Sequence, residues 1–115
     1  MQRDKAWVHD IVASMRLAIA YLQGRSFDQF SVDSECVDAV VRRLEVIGEA
    51  AKHLSAPLRE KHPEIPWQKM AGMRDRLIHG YDDVNLEDVY KVVNQMIPVM
   101  LPQLEAILLD LPEPT

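Results

Sequence analysis

Apolar residues recur at three- and four-residue steps along most of this chain, and nowhere do they alternate with the period of two that a half-buried strand needs. Over residues 4–23 the positions Trp7, Val8, Ile11, Met15, Ala18, Ile19 and Leu22 form the stripe of an amphipathic helix, which Gly24 closes. The connector 25–30 carries Phe27 and Phe30, suited to plug the end of a core, and Ser31 or Asp33 can cap the next helix. A second stripe, Val37, Val40, Val41, Leu44, Ile47, Ala51 and Leu54, is uninterrupted by proline. That helix can run about 30 Å. Gly48 within it costs helix stability, so close approach of another backbone is expected there, inside the fold or across a dimer.

Three prolines, Pro57, Pro63 and Pro66, then break the pattern into a short helical turn and a tight loop, with Pro66 placed as the first residue of a third long helix. Trp67, Met70, Met73, Leu77 and Ile78 give that helix its buried side. Asn85 can cap a last helix, with Asp88 three residues on as in a capping box. Its stripe runs from Val89 to Leu111, and Pro98 and Pro102 inside it predict a kink. The expected fold is all-α: an antiparallel bundle of four to five helices with a kinked last helix, in one domain over 1–115.

Composition adds limits. Apolar residues make up 48% of the chain and charged residues 27%, the balance of a globular protein. Uninterrupted apolar runs reach only about five residues, against the roughly 20 of a membrane span, so no spanning helix is expected. The N-terminal residues mix charges without a signal-like apolar stretch, and the lone Cys36 cannot form an internal disulfide. A cytoplasmic protein is the simplest expectation. The net charge of −5 disfavours nucleic acid as a partner until its distribution is considered. Residues 1–41 hold four Lys/Arg against six Asp/Glu, 42–79 hold eight against five, and 80–115 hold one against seven. The middle third is thus basic, a weak electrostatic footprint that a solvated helix face could equally produce.

Within that basic third, residues 70–81 concentrate candidate chemistry: Arg74, Asp75, Arg76, His79 and Tyr81. Arginines present permanent cations in fork geometry, and histidine carries a proton near neutral pH. This is an inventory for handling phosphate. On one helix Arg74 and His79 stand about 140° apart around the axis and about 7.5 Å along it, so they cannot share a face. Asp75 and His79 form an i,i+4 pair, in which the carboxylate can accept from one ring nitrogen and leave the other to move a proton. Gly80 is a natural helix-ending residue, which puts His79 at a helix end beside a bend. Glu45 and Glu49 can support the motif arginines from the neighbouring helix, or be a solvated flank.

Arg74-x4-His79-x-Tyr81 resembles the Arg-x4-His-x-Tyr motif of the HepT-like toxins in the HEPN superfamily of helical ribonucleases. The resemblance extends in order and spacing to the segments 41–52, 63–67 and 73–81. It departs at Asp75 and Arg43, where the family pattern has asparagine; Asp75 should make His79 more basic than an amide neighbour would. The resemblance implies a HEPN-like domain and a metal-independent endoribonuclease acting without a cofactor, as a homodimer whose two motifs face one cleft. Arg74 and His79 would be catalytic and Asp75 and Arg76 supporting, with RNA, a tRNA or mRNA, as substrate. It also implies the toxin of a type VII-like toxin–antitoxin pair, neutralised when a nucleotidyltransferase antitoxin adenylylates Tyr81. The alternative is a non-catalytic subunit that binds a nucleotide or a nucleotidyltransferase partner.

A metal enzyme is disfavoured, because His9, His53, His62 and His79 show neither a His-Glu-x-x-His arrangement nor a cysteine cluster. His9, His53 and His62 read as surface or capping residues. No Gly-rich phosphate loop and no membrane partner is expected.

Overall fold

In the computed structural model the described residues are 3–78 and 85–113, without the side chains of residues 74 and 76–78. Every regular element among them is helical. Helix α1, Asp4–Leu22, is followed closely by Gly24, whose φ of 78° is the left-handed conformation that glycine adopts without a Cβ clash. The connector forms a short helix of its own, α2, Phe27–Ser31, closed by a reciprocal capping box between Ser26 and Gln29. Phe30 is fully buried and Phe27 half-buried, both against the ring of Tyr90. The two phenylalanines do plug the end of the core. Asp33, not Ser31, caps the next helix by accepting from the Cys36 amide.

Helix α3, Ser34–His53, is the central rod and packs against both α1 and α5. Its buried arc is accordingly wider than the expected stripe: Cys36, Gly48 and Ala50 join Val40, Leu44, Ile47 and Ala51, while Val37 and Val41 are half-buried. Helix α4, Ala56–Lys61, is the short turn expected from the prolines, capped by Ser55. Helix α5, Trp67–Ile78, starts one residue later than expected. The Pro66 carbonyl accepts from the Met70 amide, so Pro66 is the cap and not the first helical residue.

The last apolar stripe forms α6, Leu86–Lys91, a π-helical segment, Val92–Met96, and α7, Ile97–Asp110. The irregularity expected from the prolines takes the form of a widened turn. The Ile97 amide reaches back five residues to the Val92 carbonyl, just ahead of Pro98. A proline ring collides with the carbonyl four residues back in a regular α-turn, and the wider turn relieves this. The Asn94 side chain donates to the Tyr90 carbonyl within the same stretch. Asn85 caps α6 by accepting from both the Glu87 and Asp88 amides.

Counting uninterrupted apolar runs understates this segment, because Leu86–Asp110 is long and apolar enough to cross a membrane by length and composition. Here α7 lies against α1, with Ile97, Met100, Leu104 and Ile107 in the core. The bundle core is continuous from Val8 on α1 through Leu44 on α3 and Met70 on α5 to Leu104 on α7.

Candidate functional site

Helix α5 carries the first part of the motif, from Arg74 to Ile78, and its placement starts at its first turn. The Trp67 indole is buried and donates to the His62 carbonyl at 2.9 Å, tying the start of α5 to the end of α4. Met70 is fully buried and Met73 half-buried, so one face of α5 is held in the core. The opposite face carries Asp75, whose side chain is 53% exposed. Regular helix continues through Ile78, which places the backbones of Arg74, Asp75 and Arg76 on consecutive positions around the axis, about 100° apart.

Asp75 is met from α3. The Lys52 ammonium donates to its Oδ1 at 2.8 Å, joining the last turn of α3 to the third turn of α5. A lysine at that point also complements the negative end of the α3 dipole. Sequence reasoning misses Lys52, because the contact spans 23 residues. The one signal in the chain is its register, a turn beyond the buried Gly48. The side chains of Arg74 and Arg76, and all of His79, Gly80 and Tyr81, lie outside the described residues. The expected Asp75–His79 pair and the Gly80 helix end fall there too.

The other polar residues of α3 are arranged around the rod. Glu45 accepts from Arg42 at 3.4 Å, and Glu49 contacts the His53 ring at 3.2 Å, so both acids engage neighbours on their own helix. With Trp7, Asp10, Val46 and Ala50 they line a groove of about 190 Å³ between α1 and α3. Arg43 donates to the buried Ser14 hydroxyl at 3.3 Å and thereby links α3 to α1. The arginine at this position thus serves packing inside the fold. His53 stacks on Trp7, centroids 4.4 Å apart and planes 12° from parallel. His62 caps the end of α4, and His9 is exposed beside Asp10. Among the described residues no three His, Cys, Asp or Glu side chains group to hold a metal.

A second groove, of about 410 Å³, lies between the end of α1 and the start of α3, lined by Tyr21, Arg25, Asp33, Glu35 and Cys36 among others. Arg25 donates to Asp33 at 2.6 Å there, and that hydrogen bond is the main cause holding the Asp33 carboxyl below its ordinary range. This pair closes the loop around α2.

Residues 11–107 match the family model described as Ribonuclease HepT-like. A protein of Thermococcus cleftensis named "Probable ribonuclease HepT" is 39% identical over 94 residues, covering 82% of this chain and 86% of its own. A Caldanaerobacter subterraneus protein with a provisional RNase name is 38% identical, covering 94% and 96% respectively. A Methanocaldococcus jannaschii protein, also provisionally named as an RNase, is 39% identical over 97% of both chains. No solved structure gives a significant match.

Proposed function

This chain belongs to the HepT-like ribonuclease family, and from that premise we propose that it is a metal-independent endoribonuclease, the toxin of a type VII-like toxin–antitoxin pair acting in the cytoplasm. The observation that carries the reading is a family match spanning 11–107 with the Arg74-x4-His79-x-Tyr81 motif inside it.

The chemistry is set by the residue types. His79 takes the proton of a ribose 2′-OH as that oxygen attacks phosphorus, or returns one to the departing 5′-oxygen as the P–O5′ bond breaks. Arg74 stabilises the charge that grows on the non-bridging oxygens. Asp75 and Arg76 support them. The products are a 2′,3′-cyclic phosphate and a 5′-hydroxyl. No cofactor enters the scheme.

Two copies are required. One helix cannot bring residues five positions apart onto one face, whereas a two-fold axis can bring the arginine of one motif to the histidine of the other. The unit that dimerises is a single HEPN-like domain over 1–115. Tyr81, two residues after the histidine, is where a nucleotidyltransferase antitoxin transfers AMP. The ester adds bulk and negative charge where an RNA phosphate enters, which silences the site.

The test is cleavage of a mixed tRNA and mRNA substrate by unmodified protein in excess EDTA, with His79→Ala as control. Cutting that vanishes with the histidine supports the proposal. No cutting by either protein overturns it and leaves a binding subunit of the nucleotidyltransferase complex.

A further inference from the structure

We propose that Lys52 is a positioning residue of the ribonuclease site, neutralising the Asp75 carboxylate that would otherwise offset part of the positive charge of the motif helix at the RNA phosphate. The proposal rests on the ribonuclease reading above and adds to it a residue from a different helix.

Asp75 is a carboxylate set between two arginines in the segment that must meet a polyanion. An uncompensated carboxylate there would repel phosphate and compete with it for the neighbouring guanidinium groups, since arginine forks bind carboxylate and phosphate alike. The structure supplies the compensation from α3: Lys52 donates to Asp75 Oδ1 at 2.8 Å. A carboxylate accepts from several donors at once, so this bond does not exclude others. The lysine comes from the α3 rod, which is anchored on both sides by α1 and α5, so its charge is delivered from a fixed direction.

The pair is also exposed enough to separate electrostatics from folding. The Lys52 side chain is 36% exposed and that of Asp75 53%, and ion pairs in that range contribute little to stability. Its effect should therefore appear in RNA handling and not in melting.

The experiment compares wild type, Lys52→Gln, Lys52→Arg, Asp75→Asn and the Lys52→Gln/Asp75→Asn double variant. It measures kcat/KM for RNA cleavage, affinity for a single-stranded oligoribonucleotide, and melting temperature. Lys52→Gln is expected to lose about tenfold in kcat/KM, the scale of a single charge at a reacting site. Lys52→Arg should restore activity, and Asp75→Asn is the background, with whatever activity it keeps, in which the Lys52 change is measured again. In the Asp75→Asn background the same Lys52→Gln change should cost no more than about twofold, because the charge it offsets is gone.

Equal losses in both backgrounds, or a loss that tracks a fall in melting temperature, would overturn the proposal. Failure of the wild type to cut RNA would sink the ribonuclease reading instead. Affinity for the oligoribonucleotide then decides the role of Lys52: the same background dependence sustains it, and its absence overturns it.

Discussion

The Asp4 carboxylate, in the first turn of α1, accepts the backbone amide of Ser55 at 2.9 Å and its hydroxyl at 2.6 Å. The same hydroxyl caps α4 by accepting from the Leu58 amide. One buried acid thus fixes the N-terminal end of α1 to the start of α4, across 51 residues of sequence. Burial pushes the Asp4 carboxyl up, but hydrogen bonds, both of those from Ser55 among them, outweigh it and hold the carboxyl below its ordinary value of 3.8.

A carboxylate depressed in the folded state contributes stability that is present above the unfolded value and lost as pH falls through the folded one. Asp4→Ala should therefore lower unfolding free energy at pH 7 by about 1–3 kcal/mol. The gap between variant and wild type should narrow as pH falls below the ordinary carboxyl value of 3.8 and through the lower folded-state one. Urea titrations at several pH values check this; a gap independent of pH would contradict the assignment.

Tyr90 donates its hydroxyl to the Arg25 carbonyl at 2.6 Å and packs its ring against Phe27 and Phe30. Tyr90→Phe keeps the ring contacts and removes one hydrogen bond. A loss of about 1 kcal/mol is expected, and Phe30→Ala, which empties a fully buried site, should cost about 3–5 kcal/mol. Chemical denaturation of the two variants compares these two effects directly.

Met70 is fully buried, whereas Leu109 is 85% exposed on α7. Met70→Ala should destabilise by about 2–5 kcal/mol, and Leu109→Ala should lie within about 0.5 kcal/mol of wild type. Because Met70 holds the face of α5 opposite Asp75, its variant should also reduce RNA cleavage in proportion to the folded fraction.

A dimer that persists at low micromolar concentration is expected, and sedimentation showing only monomer would count against a composite site. Co-production with the cognate nucleotidyltransferase and ATP should raise the mass in whole units of AMP. Tyr81→Phe should abolish the increase. An unchanged mass in the wild type would remove the modification from the scheme.

Much of the architecture is legible in the chain itself. The stripes on α1, α3, α5 and α7 follow a repeat of 3.6 residues, and caps such as Asp33 and Asn85 act within three positions. These are local rules, and local rules can be read in one dimension. The motif is legible for a different reason: residue types at short spacing resemble a family, and the match over 11–107 bears that out. The widened turn ahead of Pro98 is harder, because a proline demands relief without saying whether a bend or an extra residue supplies it.

By itself, then, the sequence determined the four long helical segments, the apolar stripe along each, and that Arg74 and Asp75 sit on the third of them. Only the tertiary structure decided that Lys52 meets Asp75, that Asp4 holds Ser55, that Tyr90 reaches Arg25 and that Arg43 turns inward to Ser14. Those pairs join residues 23 to 65 positions apart. Periodicity specifies the face of a helix but not its rotation and slide against a neighbour, and these are set by the packing of the whole core at once.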